Sequence, residues 1–135
     1  MELLSNARTE YTLSASLESL HAESVEWRKE VSFWQEELTF FYKLIHQRGK
    51  HAPFPSAEVA DLEKQLIAIS SGDLPTLMEE VENHEHFLAS LLRNTSMTDE
   101  NMYRQHHRHV LESMHDVHTR IRSYKHELFH LLRKH

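Results

Sequence analysis

Three segments of this chain carry apolar residues at alternating spacings of three and four, and this spacing constrains the fold more than any other feature. The first seam is apolar at every position except Ser24. Its members are Leu13, Leu17, Leu20, Ser24, Trp27, Val31, Trp34, Leu38, Phe41 and Ile45. Because residues three and four apart share one face of an α-helix, the pattern predicts a long helix with one buried stripe.

Two further seams follow, and each of them contains a single histidine. The second comprises Val59, Leu62, Leu66, Ile69, Leu77, Val81, His84, Leu88 and Leu91. The third comprises Tyr103, His107, Val110, Met114, Val117, Ile121, Tyr124, Leu128 and Leu131. Since no segment shows the strict alternation that is typical of a strand, the sequence predicts an all-α protein.

Turn-forming residues place the helices at about 12–48, 56–94 and 98–135. The first helix is expected to end at Gly49 and the proline-containing segment 51–55, with Ser56 as the next N-cap. Short loops between long helices favour an antiparallel, up-down-up three-helix bundle, which would form one domain over residues 1–135. Gly72 and Pro75 predict a kink in the second helix.

The third helix has its own start signal. Ser96 or Thr98 is expected to cap it, and Asp99 with Glu100 then lies in the first turn, where the helix dipole favours acidic side chains.

Composition excludes several classes of protein. The chain has 135 residues and no cysteine, which excludes disulfide scaffolds and thiolate metal sites and fits a reducing compartment. No run of about 18 apolar residues is present, and the first residues do not resemble an export signal, so we expect a cytoplasmic protein without a membrane partner. A net charge of −6 argues against binding to nucleic acid.

Histidine is unusually abundant, at 13 residues. Protonation of all of them would change the formal charge from −6 to +7, so charge-driven contacts of this chain should depend on pH. The sequence alone leaves open whether these histidines sense pH.

Three of the histidines are expected to lie at one level along the bundle. In an antiparallel hairpin, residues equidistant from the centre of the loop lie side by side. With loop centres at about 52 and 96, His21 faces a position next to His84, and His84 faces a position next to His107. Glu80 lies one turn before His84. The predicted polar layer comprises His21, Ser24, Glu80, His84 and His107.

This layer has two interpretations. Imidazole nitrogens with a carboxylate are ordinary ligands of a transition metal, so His21, Glu80, His84 and His107 could hold one ion, with zinc or iron as the leading candidates. Alternatively, the layer is a buried hydrogen-bonded set that fixes helix register. No motif demonstrates an enzyme: the segment from His84 begins like a zinc-protease helix, but Leu88 occupies the position of the second histidine ligand.

Three apolar residues of the first helix lie outside its seam: Phe33, Phe40 and Leu44. They either widen the core or form an interface, and we expect a homodimer.

The helical patterns also resemble a known group of proteins. The resemblance in the first helix is carried by Leu20, His21, Ala22, Glu23, Trp27, Glu30, Phe33, Glu36, Glu37, Leu38 and Phe41. In the second helix it is carried by Leu77, Glu80, Val81, His84, Glu85 and Leu88, and in the third by Tyr103 and His107. These residues are similar to an uncharacterised family of short all-helical proteins from Bacteroidetes-type bacteria. The resemblance implies a fold without an established activity, and Ser24 stands where the family has a histidine.

The sequence thus favours a small cytoplasmic helical-bundle module that acts as a structural or interaction protein, with an unknown protein partner and a histidine layer that could bind one transition metal. The alternative is a metal-dependent oxidoreductase or hydrolase that uses the same layer.

Overall fold

A computed structural model describes residues 15–51, 56–93 and 97–134, which are helical from Leu17 onward. Helix α1 spans Leu17–His51 and α2 spans Ser56–Ala68. A π-helical segment, Ile69–Asp73, joins α2 to α3, which spans Leu74–Arg93, and α4 spans Met97–Lys134. These three ranges contain no strand, so the prediction of an all-α protein is confirmed.

The helix boundaries differ slightly from the predicted ones. Helix α1 continues through Gly49 and ends at His51, beyond the predicted end near residue 48, because a helical glycine costs only about 1 kcal/mol. Asp99 and Glu100 lie in the first turn of α4, as predicted. Residues 1–14, 52–55, 94–96 and 135 lie outside the described residues, and with them Leu13, the predicted loops and Ser96. Ser56 is the first residue of α2 and Thr98 is the second residue of α4, so each lies inside the helix that it was predicted to cap.

The π-helical segment occupies the position where the sequence predicts a kink. Here the N–H of Leu74 donates to the carbonyl oxygen of Ile69, five residues earlier. Pro75 has no N–H, and in an α-helix its ring would clash with the carbonyl of Ser71. The wider π turn directly before Pro75 accommodates this ring while the chain remains helical.

The three predicted seams are buried. Every described member of the first and third seams is buried, apart from the half-buried Leu17. In the second seam Val59 is half-buried and the other members are buried. Leu74 is also buried, although it lies outside the seam, where the apolar spacing is interrupted. The 3-4 spacing therefore identified the core almost residue by residue.

The described chain divides into two compact units, to which α1 and α4 both contribute. Unit 1 contains the chain up to Glu30 together with Leu77–Met114. Unit 2 contains Val31–Thr76 and the chain from His115 onward. Within the described ranges, no helix is both long enough and apolar enough to cross a membrane.

The off-seam phenylalanines do not widen the core. Phe33 is 59% exposed and Phe40 is 61% exposed, whereas Leu44 is half-buried. The wide-core interpretation of Phe33 and Phe40 is therefore wrong, because both rings point away from the buried seam of α1.

Candidate functional site: a buried histidine layer

The core of unit 1 contains a polar group at the position of two seam histidines. His84 of α3 and His107 of α4 are both 0% exposed. Glu23 of α1 and His106 of α4 lie beside them and are half-buried. We call Glu23, His84, His106 and His107 the histidine layer.

Hydrogen bonds join the four side chains into one chain. His107 Nε2 lies 2.7 Å from Glu23 Oε1, and His107 Nδ1 lies 2.7 Å from His84 Nε2. His84 Nδ1 in turn lies 2.7 Å from His106 Nδ1. Both ring nitrogens of His84 and of His107 thus have partners, and the chain links α1, α3 and α4.

Aromatic rings hold the imidazoles in place. Tyr103 stacks on His84 with ring centroids 4.5 Å apart and an interplanar angle of 1°. Trp27 lies 4.5 Å from His107, and Phe87 lies 5.9 Å from His106. Because ring contacts of this kind restrict the plane of each imidazole, the nitrogens are kept in the directions that the hydrogen bonds need.

The hydrogen-bond pattern determines the tautomers of the three rings once their charge states and that of Glu23 are given. An ionised Glu23 can only accept, so His107 donates from Nε2. If His107 is neutral, its Nδ1 carries no hydrogen and accepts from His84 Nε2. A neutral His84 then accepts at Nδ1 from His106 Nδ1. With all rings neutral, every hydrogen bond has one donor and one acceptor, and all three point toward Glu23.

Burial favours the neutral form of the central ring. It lowers the pKa of His84 to about 3, and the neighbouring His107 and His106 add to this effect. Burial also lowers the pKa of His106; His109 lowers it further, whereas the carboxylate of Glu80 opposes the shift. Protonation of His84 would place a charge in the apolar core of unit 1, so this ring is neutral at pH 7.

Two of the four predicted site residues meet in the structure. His84 and His107 are in direct contact, as predicted from their equal distances to the loop between their helices. Glu80 lies near His106 and is half-buried, and its Oε2 makes no hydrogen bond with the described residues. The side chain of His21 is exposed and lies outside the histidine layer. The carbonyl oxygen of His21 accepts a hydrogen bond from the hydroxyl of the buried Ser24.

Sequence reasoning missed Glu23 and His106. Both lie next to a seam residue, at the level that the hairpin arithmetic identifies. That arithmetic gives positions along a helix axis but not around it, so it cannot say which flank of α1 faces α4. Glu23 and His21 flank the seam on opposite sides, and the structure selects Glu23.

The arrangement resembles a hydrogen-bonded network more closely than a set of metal ligands. Among the described residues, no group of three or more His, Asp or Glu side chains is placed so that it could hold a metal ion. A metal ligand needs a free lone pair, and the nitrogens of His84 already face two other imidazoles. The transition-metal site over His21, Glu80, His84 and His107 stays a prediction.

Comparisons with protein-family models, with curated proteins and with solved structures find no match for this chain.

Proposed function

We propose that this chain is a small cytoplasmic module that acts through protein contacts, with its helices in the up-down-up order that the loop spacing predicts, and that the histidine layer fixes the register of those helices. One observation carries the proposal: the ring of His84 is fully buried and both of its nitrogens are 2.7 Å from other imidazole nitrogens. This favours the register interpretation over a site that is open to a ligand.

The layer can fix register because its hydrogen bonds are directional. A shift of α3 by one turn against α4 would place His84 beside an apolar residue and leave its nitrogens without partners. An unsatisfied buried polar group costs about 1–3 kcal/mol, and the same shift would also remove the acceptor or donor of His107 and His106. Apolar contacts alone would tolerate such a shift more easily, since they have no direction.

Neighbouring side chains hold the layer at both ends and on its faces. Glu23 and His106 form its two ends, and each is held by a hydrogen bond to a neighbour within the layer. The rings of Trp27, Phe87 and Tyr103 pack around the imidazoles. This packing supports a rigid core element.

Elemental analysis distinguishes register from metal binding. Untagged protein, purified without a chelator or a metal column, should contain far less than one equivalent of zinc or iron, and its thermal unfolding midpoint should be the same with and without EDTA. Near-stoichiometric metal that is lost in His84→Ala and in His107→Ala, but kept in His118→Ala, would overturn the proposal. His118 is a matched control because it is a histidine of α4 with an exposed side chain.

A further inference from the structure

Every hydrogen bond of the histidine layer can reverse its direction. A neutral imidazole has one N–H donor and one acceptor nitrogen, and its hydrogen can occupy either of the two nitrogens. His106, His84 and His107 are joined through their ring nitrogens, and the carboxylate of Glu23 ends the chain. If each hydrogen moves across its own hydrogen bond, the whole chain changes direction while the heavy atoms stay in place.

Only the two ends of the layer reach solvent. His84 and His107 are fully buried, whereas the side chain of Glu23 is 28% exposed and His106 is half-buried. Protons can therefore be exchanged with water at Glu23 and at His106, but not at the two central rings. A protonation event at one end can affect the other end only through those rings.

The contacts within the layer are short, and most of them join like groups. All three distances are 2.7 Å, at the short end of the range for hydrogen bonds from an N–H donor. Two of the three join one imidazole to another, so the hydrogen moves between nitrogens of similar basicity. Trp27 and Tyr103 pack against the rings and keep the nitrogens aligned.

Titratable groups surround the His106 end of the layer. Glu80 of α3 and His109 of α4 both act on this ring, and the carboxylate of Glu80 favours a proton on it. Oε2 of Glu80 makes no hydrogen bond with the described residues. Glu80 thus attracts a proton to the solvent-accessible side of His106.

The Glu23 end also has charged neighbours. Burial raises the pKa of Tyr103 to about 12; Arg104 of α4 opposes this shift, whereas Glu85 of α3 and Glu23 add to it. Glu85 is paired in turn with Arg28 of α1, at 3.3 Å. Any pH dependence at this end therefore includes Arg104 and Glu85 together with Glu23.

We propose that the histidine layer is a proton relay between His106 and Glu23. A proton from water binds to Nε2 of His106, and the Nδ1 hydrogen of this ring moves to Nδ1 of His84. The Nε2 hydrogen of His84 moves to Nδ1 of His107. The Nε2 hydrogen of His107 moves to Oε1 of Glu23, which becomes a neutral carboxylic acid. One proton is taken up, and each ring is neutral before and after.

The hydrogens move together, because a charged central ring is disfavoured. Burial lowers the pKa of His84 to about 3, and His107 and His106 add to this effect, so a proton does not stop on His84. Since the packed rings do not turn over, the reverse movement restores the first state. The relay thus couples the charge of Glu23 to proton uptake at His106 and does not carry protons continuously.

This inference rests on the hydrogen-bonded layer of the proposed function. Fixing the register requires only that the hydrogen bonds are made, whereas the relay also requires that the hydrogens move. Hydrogens that stay on one nitrogen would remove the relay and leave the register role intact, so the two proposals can fail separately.

Nitrogen NMR of His84 in the full chain, labelled with ¹⁵N, tests the relay. Between pH 7.5 and pH 5.5, the relay transfers the hydrogen of His84 from Nε2 to Nδ1, so the two ¹⁵N resonances should shift in opposite directions. Formation of an imidazolium ring would instead make the two resonances similar. We expect a minor Nδ1–H tautomer of about 1–10% at pH 5.5, which relaxation dispersion can detect.

A conservative variant removes the last proton acceptor. In Glu23→Gln the amide oxygen can still accept from His107 Nε2, but it does not take up the hydrogen, so the minor tautomer of His84 should disappear. Glu26→Gln is the matched control, because Glu26 is also a carboxylate of α1 in unit 1, but it is exposed and paired with Lys29. This variant should keep the minor tautomer.

A second variant blocks the other end. In His106→Asn the amide N–H can replace the donor to His84, but it does not pass a hydrogen on, so this variant should also lose the minor tautomer. Circular dichroism should show equal helix content in all four proteins. A wild-type His84 that keeps its hydrogen on Nε2 at both pH values, a charged His84 at pH 5.5, or an unchanged minor tautomer in Glu23→Gln would overturn the relay.

Discussion

The two units of the molecule differ in what they bury and in what they expose. Unit 1 buries Ser24, His84 and His107 among its apolar residues, whereas the buried side chains described in unit 2 are aliphatic or aromatic. Unit 2 instead exposes Phe33, Phe40 and Phe129. Unit 1 exposes Leu92 and Met102 as well, so the two units differ in their buried polar side chains and in the exposed aromatic rings of unit 2.

The two kinds of core contact differ in how strongly they depend on direction. Hydrogen bonds among His84, His106 and His107 are directional, so they specify one arrangement of the helices at some cost in stability. Apolar packing in unit 2 is less directional. We infer that the histidine layer fixes the arrangement of the helices within unit 1.

The largest expected effect follows from removing one member of the histidine layer. His107→Leu leaves Glu23 without its donor and leaves the buried His84 Nε2–H without an acceptor. We expect the free energy of unfolding to fall by about 3 kcal/mol. His118→Leu, which removes an exposed imidazole that stacks on Trp34 in unit 2, should change stability by about 0.5 kcal/mol or less.

Urea unfolding followed by tryptophan fluorescence measures both variants. Equal losses for His107→Leu and His118→Leu would contradict the contrast between the buried histidine layer and an exposed histidine.

The next largest effect is a pH dependence that arises from His84. The pKa of His84 is about 3 in the folded chain against an ordinary value of 6.5, so the unfolded chain binds this proton more tightly. The resulting stability is complete above pH 6.5 and is lost as the pH falls toward 3, by up to about 1.4 kcal/mol per pH unit. The lowered pKa of His106 acts in the same direction.

Between pH 7.5 and pH 5, the free energy of unfolding should therefore fall by about 2 kcal/mol from this cause. Urea unfolding at the two pH values, in the wild-type chain and in His84→Leu, measures the contribution of His84. A loss of the same size in both proteins would show that burial of His84 is not its cause.

The smallest expected effect is a gain in unit 2. Gly72 lies in the π-helical segment without a positive φ, and a Cβ placed there would have no atom within 4 Å. Gly72→Ala should raise the unfolding free energy by about 0.5–1 kcal/mol, because alanine has less freedom in the unfolded chain. A decrease, measured by urea unfolding of unit 2, would show that the π-helical segment needs the freedom of glycine.

Apolar spacing predicted the core because helix periodicity alone decides which face is buried. It placed Leu20, Val31 and Ile121 in the core, and the hairpin arithmetic brought His84 next to His107. Glu23 and His106 could not be predicted in the same way, since the handedness with which helices pack decides which flank faces a neighbour. The exposure of Phe33 and Phe40 was also undecided, because the same residues could fill a wide core or an interface.

The π-helical segment was predicted only as an interruption. Gly72 and Pro75 indicate that regular α-helical hydrogen bonding cannot continue unchanged. They do not indicate whether the chain turns, kinks or widens, since that depends on which arrangement buries Ile69 and Leu74.

The most direct test of the histidine layer is a measurement of its ring protons. Long-range ¹H–¹⁵N NMR correlation at pH 7.5 identifies which nitrogen of each imidazole carries hydrogen. We predict three neutral rings, with the proton on Nε2 in His107 and His84 and on Nδ1 in His106. A charged imidazole, a different tautomer at His84, or a metal-bound ring nitrogen would contradict a neutral hydrogen-bonded layer that runs from His106 to Glu23.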